Sequence, residues 1–177
     1  MKEERNVSIK NKLGAGIFVF LLVCLDQWTK YLAVLHLKGA SPIVIIEQVF
    51  ELFYLENRGA AFGIFQNQRW IFLILTTLTM FGLIWFYRRI PVKKRYLPFR
   101  ICVIASFAGA VGNMIDRIKN GYVVDFLYFK LIDFPVFNMA DIYVTVSVIC
   151  ALCLSFFYYK EEEMQDWISK NKIKDWK

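Results

Sequence analysis

Four segments of this chain are long and apolar enough to cross a bilayer as helices: 13–35, 70–87, 99–115 and 139–159. No other feature restricts the fold as sharply. A bilayer core of roughly 30 Å takes about 20 helical residues, with every backbone polar group satisfied inside the span. The third segment is at the short end of that range and needs support from its neighbours. The expected fold class is a membrane all-α bundle of four transmembrane helices, forming one integral-membrane domain over residues 1–177. Composition agrees, because 58% of the residues are hydrophobic, above the usual share of a soluble domain.

Charge orders the connections. Arg88, Arg89, Lys93, Lys94, Arg95 and Arg100 lie in the second connection with no acid among them. The first connection (38–69) and the third (116–138) each balance three bases with three acids. The positive-inside rule puts the second connection in the cytoplasm, and with four spans both termini follow, including the tail 160–177. The net charge of +7 sits in these short blocks, so no nucleic-acid partner is expected. The basic N-terminus runs into an apolar segment too long for a cleaved leader, which makes it an uncleaved first span. Cys24, Cys102, Cys150 and Cys153 all lie in apolar runs. They are expected to be small apolar packing residues rather than redox or metal groups.

The first connection is more than a linker. "PIVIIEQVFELFYL" is rich in β-branched and aromatic residues and predicts strands. "ENRGAAFG" follows, and its glycines favour a turn. A small extracytoplasmic β-sheet and loop over the outer face of the bundle is expected.

Several polar residues do not belong in lipid. Asp26 and Lys30 lie four apart on one helix face, where a structural ion pair is expected. Asn113 and Asp116 share a face near the end of the third span, while Arg117 points elsewhere and is expected to meet water. Asp125 sits in a β-like segment, "YVVDF", and Asp141 opens the fourth span. Asp141 alone would be explained as a helix cap. Both aspartates lie near the same ends of their spans, however, and the segment between them can fold back. Two carboxylates sharing one proton would form an acid–base pair. With one histidine, His36, and no zinc-protease, nucleophile-elbow or P-loop motif, carboxylates remain the candidates for activating water. A proton-coupled carrier using Asp26, Lys30, Asp116 and Asp141 as a relay is the rival class, and an inert lipid-binding scaffold is a third.

Four blocks, "DQWTK" from Asp26, "ENRGAAFG" from Glu56, "GNMIDR" with "VVDF" from Gly112, and "FPVFNMAD" ending at Asp141, carry a resemblance. In order and position the chain resembles the bacterial lipoprotein signal peptidases, or signal peptidase II, over residues 13–159. The resemblance implies an aspartic endopeptidase of the bacterial plasma (inner) membrane, multi-pass and without metal or organic cofactor; a monomer is expected, although the residues leave the oligomeric state open. It implies removal of signal peptides from diacylglyceryl-modified prolipoproteins, with cleavage before the lipidated cysteine. The implied partners are these substrates, membrane lipids and globomycin-like cyclic peptide inhibitors. The family's catalytic pair falls on Asp125 and Asp141. Its supporting or substrate-binding positions fall on Asp26, Lys30, Asn57, Gly59, Gly109, Asn113, Asp116, Arg117, Asn138 and Ala140. Which aspartate holds the proton is left open by the residues.

Overall fold

The computed structural model describes residues 2–59 and 68–163, with side chains from Leu13 on. Its four long helices are α1 (Lys2–Leu37), α2 (Arg69–Arg89), α3 (Leu97–Lys119) and α4 (Met139–Cys153). Each carries a span of membrane-crossing length and hydropathy: Leu13–Leu37, Arg69–Arg89, Lys94–Lys119 and Met139–Tyr158. After Cys153 the fourth span widens into a π-turn, Leu154–Tyr158. Its i+5 geometry shows where the Tyr159 amide donates to the Leu154 carbonyl at 2.9 Å.

The third helix is longer than the 99–115 expected from its apolar run. Its polar end stays helical because the polar side chains turn into the bundle, where Asp116 is only 3% exposed. Hydropathy ends where the partnered polar residues begin, and the backbone does not.

Helix α3 is the hub, packing on α1, α2 and α4. A stripe of small residues lets the backbones close in. A Cβ on Gly109 would sit 2.5 Å from the Ala140 carbonyl oxygen of α4, and one on Gly112 would collide with the Asp26 carboxylate of α1. The outer faces are apolar. Helix α2 has no buried residue at all, and its Ile74, Leu78 and Phe81 all stand exposed. Such a surface suits lipid rather than water.

The expected sheet is present. Strands β1 (Ile43–Ile46), β2 (Phe50–Asn57) and β3 (Val123–Phe129) pair antiparallel in that order. Gln48, with φ 57°, takes the left-handed corner between β1 and β2. The first two strands come from the first connection and β3 from the third, so both connections lie at one end of the bundle, as their charge balance implied. Val124 and Phe126 of β3 pack on Ala33 and Leu37 at the end of α1, which seats the sheet on the helices. All four residues of β1 are exposed. The turn expected in "ENRGAAFG" is described only as far as Gly59; Ala60–Gly63 and the tail beyond Glu163 lie outside the described residues.

The four thiols are free. Cys24, Cys150 and Cys153 are exposed on the helix surfaces and Cys102 is buried.

The close approach at Gly112 gives a direct test. Gly112→Ala should destabilise the protein by about 1–3 kcal/mol, the usual cost of overpacking. Gly82→Ala, where an added Cβ meets nothing within 4 Å, should be neutral or slightly stabilising. Thermal melts in one detergent compare the two, and equal melting points would refute the packing account.

Candidate active site

The site is assembled where α1 and α3 end, α4 begins and the sheet is attached. Its foundation is an ion cluster. The Lys30 ammonium of α1 lies 3.0 Å from Asp26 Oδ2 and 3.0 Å from Asp116 Oδ2. It also donates to Asn113 Oδ1 at 2.9 Å. Asp26 and Lys30 are 0% and 3% exposed. The ion pair expected from the i, i+4 spacing is there, but it is shared with Asp116 of α3, which sequence spacing did not indicate.

The two acids also accept from backbone amides. Asp26 Oδ1 accepts from the Ala140 amide of α4 at 3.0 Å, and Asp116 Oδ2 from the Val124 amide of β3 at 3.1 Å. One cluster therefore clamps α1, α3, α4 and the sheet together. Gly109 lets Ala140 come close enough to make its bond. Gln27 completes the cluster, its amide nitrogen lying 3.1 Å from Asp26 Oδ2 and 3.0 Å from Asp116 Oδ1. Sequence reasoning passed over Gln27; an uncharged polar side chain inside an apolar run, beside Asp26, was the available signal.

Above this base lie the two aspartates. The chain between them does fold back: the Phe126 and Leu127 amides donate to the Phe137 carbonyl at 3.0 and 2.9 Å, and the Phe137 amide donates to Leu127 at 3.0 Å. Immediately beyond, Asn138 caps α4 through a reciprocal box. Its Oδ1 accepts from the Asp141 amide at 3.1 Å, while Asp141 Oδ2 accepts from the Asn138 amide at 3.1 Å. Asp141 is thus a capping residue, as the simpler reading had it, and it also faces the cavity.

Three amide side chains orient the pair, and each is itself fixed by a donor that cannot accept. Lys30 holds the Asn113 oxygen, so Asn113 Nδ2 faces Asp141 Oδ1 at 2.8 Å. The Gly59 amide donates to Asn57 Oδ1 at 3.1 Å, so Asn57 Nδ2 faces Asp125 Oδ2 at 2.8 Å. The Asp141 amide holds the Asn138 oxygen, so Asn138 Nδ2 faces Asp125 Oδ1 at 2.6 Å. Every amide turns N–H toward the aspartates. The sheet register makes Asn57 a diagonal neighbour of Asp125, since Asn57 pairs with Val123 and Asp125 with Leu55.

Asp125 is 1% exposed. Burial, reinforced by the charge of Asp141, pushes its carboxyl up to about 7, against the opposing pull of the Asn57 and Asn138 bonds. Asp141 is half-buried and opens on a cavity of about 490 Å³ that it shares with Asp125 and Asn57. The cavity's far wall is apolar and aromatic, with Phe129, Phe134, Phe137 and Val146.

Arg117 corrects an expectation. It does not point to water: it is half-buried and lines the same cavity, with its guanidinium 5.0 Å from the Phe72 ring centroid. One turn beyond Asn113, it shares that residue's face. Of the twelve residues singled out from sequence, Asp125, Asp141, Asn57 and Arg117 line the cavity. Asn113 and Asn138 bond the aspartates, Gly59 fixes Asn57, and Asp26, Lys30, Asp116, Gly109 and Ala140 form the base.

Fold and site define a polytopic membrane protein with a carboxylate pair at one end of its helix bundle. The family model for signal peptidase (SPase) II matches residues 18–157. The lipoprotein signal peptidase of Clostridioides difficile is 41% identical over 147 residues, covering 82% of this chain and 96% of that protein. That of Streptococcus thermophilus is 40% identical over 151 residues, covering 85% and 95%. Two solved bacterial membrane enzyme structures superpose with TM-scores of 0.71 and 0.70, at 32% and 30% identity; they cover 84% and 82% of this chain, and 92% and 94% of their own chains. The chain belongs to the signal peptidase II family and is a membrane peptidase. The carrier and inert-scaffold readings are thereby set aside.

The base makes a ranked prediction. Lys30→Met strands two buried carboxylates and should cost about 3–5 kcal/mol of stability or abolish folding. Asp26→Asn leaves Lys30 paired with Asp116 and keeps an acceptor for the Ala140 amide, so it should cost clearly less. A melt in which Asp26→Asn is the more damaging change would overturn this apportionment.

Proposed function

We propose that this chain is an aspartic endopeptidase that removes the signal peptide from diacylglyceryl-modified prolipoproteins, cutting before the lipidated cysteine, with Asp125 and Asp141 as its catalytic pair. The observation that carries the reading is the shared cavity: two carboxyl groups face it, and every neighbouring amide offers them N–H. Names of the relatives supply the substrate class, and the apolar wall beside the pair suits a lipid-bearing substrate held at a membrane interface.

In this mechanism Asp125 holds the shared proton, because burial and its neighbour's charge favour its neutral form. Asp141, the more open of the two, takes a proton from water as the water oxygen adds to the scissile carbonyl carbon. The Asp125 proton passes to the carbonyl oxygen, which becomes a tetrahedral diol. The C–N bond then breaks, Asp141 returns its proton to the leaving amine, and Asp125 recovers its own from the collapsing diol. Arg117 supplies a cation in the cavity to hold a substrate carbonyl. Asn57 and Gly59 position Asp125 from the sheet side.

The basic second connection supports an orientation with both termini in the cytoplasm and the sheet on the outer face of a bacterial plasma membrane. Acyl chains of the substrate then lie in the outer leaflet, beside the aspartates. The chain works as a monomer on this reading, since the pair and its supports all come from one copy. Globomycin-like cyclic peptides would compete for the cavity.

Purified protein mixed with a diacylated prolipoprotein should release the signal peptide, seen as a mass loss that globomycin blocks. The unlipidated precursor should react far more slowly. Asp125→Asn and Asp141→Asn should each lower turnover at least about 100-fold, and the double variant should lose little more. Because the neutral form of Asp125 is required, kcat/KM should fall as pH rises through about 7. Wild-type turnover in Asp125→Asn, with normal folding, would refute the pair.

A further inference from the structure

The end of the bundle far from the aspartates holds a further buried charge. Arg100, in the first turn of α3, is only 8% exposed. A terminal nitrogen donates to Tyr87 Oη at 2.5 Å, and the guanidinium lies 4.7 Å from the Tyr87 ring centroid. Its Nε has no hydrogen-bond partner. Among the described residues no carboxylate forms an ion pair with it. Lys30, which is also buried, has two such acids. An uncompensated buried cation is costly, and among the described residues Arg100 has no counter-charge.

Arg100 borders a cavity of about 260 Å³ between α1 and α3, walled by Ala15, Phe18, Tyr87, Leu97 and Ile104. A second cavity of about 140 Å³ shares Ala15, Tyr87 and Ile104 and extends toward Phe107. Together they trace an apolar channel along the helices, with the cation at its mouth. Phe18 and Leu97 are exposed on the outer surface, which places the mouth at the level of lipid. The Tyr87 hydroxyl accepts from Arg100, which leaves its own O–H to donate. Helix α3 starts there with neither an acidic residue in its first turn nor a side-chain cap, so its positive end is also uncompensated. The adjoining connection adds Arg88, Arg89, Lys93, Lys94 and Arg95 without an acid.

We propose that this is a binding site for an anionic phospholipid of the leaflet on the side of the basic connection. The phosphate pairs with Arg100 and accepts from Tyr87, and one acyl chain fills the channel. Apolar walls on both cavities favour a lipid over free phosphate. The site is separate from the aspartates, and its test uses no substrate, so it stands apart from the peptidase reading.

Full-length protein in neutral detergent is titrated with phosphatidylglycerol, phosphatidylcholine or inorganic phosphate, and followed by native mass spectrometry and thermal melting. Phosphatidylglycerol should give a retained one-to-one adduct and a raised melting point, and the other two should give neither. Arg100→Gln should weaken the adduct about tenfold or more, while Lys94→Gln, which removes an exposed neighbouring charge, should leave it intact. Ala15→Phe, which fills the channel and keeps the cation, should also abolish the adduct, and it decides the matter if Arg100→Gln fails to fold. Equal weakening by Lys94→Gln, an adduct that survives Ala15→Phe, or equal stabilisation by phosphatidylcholine or inorganic phosphate would overturn the proposal.

Discussion

One ammonium group holds this structure together. Lys30 reaches from α1 to two carboxylates and an amide oxygen, on α1 and α3, in a setting that is almost closed to solvent. In such a setting a charge is tolerated only when paired and hydrogen-bonded. The acids it neutralises are then able to accept backbone amides of α4 and β3. Apolar contact cannot set the mutual position of these elements alone, because much of the apolar surface faces outward, toward the expected lipid. The polar cluster supplies the specificity that a water-excluded core supplies in a soluble protein.

The same cluster determines the direction of the hydrogen bonds above it. An ammonium has no acceptor, so it fixes which end of Asn113 it meets and which end meets Asp141. Asn57 and Asn138 are fixed likewise by backbone amides. The aspartates are therefore surrounded by donors. A proton on Asp125 finds no amide oxygen to receive its hydrogen bond and is left to the partner carboxylate, to water or to a substrate carbonyl. These donors favour the ionised carboxylate, and it is burial together with the charge of Asp141 that works against them at Asp125.

Much of this was legible in the sequence, for physical reasons. Apolar runs of bilayer length are hard to misread, and the strand composition of 43–57 marked the sheet. Asp26 with Lys30, and Asn113 with Asp116, could be paired by helical spacing. Contacts between distant segments were less accessible. Nothing in the spacing tied Asp116 to Lys30 or the Val124 amide. The true length of α3 was hidden because hydropathy scores Asp116 and Arg117 as boundary residues, although burial gives them partners inside. Arg117 was misplaced for the same reason. Gln27 was missed because a lone uncharged polar residue stands out less than a charge. The resemblance to a family, rather than composition or period, singled out Asn57, Gly59, Asn138 and Ala140.

The central claim is that burial, with the charge of Asp141 beside it, keeps a proton on Asp125 near neutral pH against the pull of the donors that surround it. Infrared difference spectroscopy reads it directly, as the protonated-carboxyl stretch in wild type minus Asp125→Asn, titrated from about pH 5 to about pH 9. The account predicts a band that is present at low pH, absent from the variant, and lost with a midpoint of about 7. Absence of that band throughout the range, with both carboxyl groups ionised in the folded protein, would contradict it.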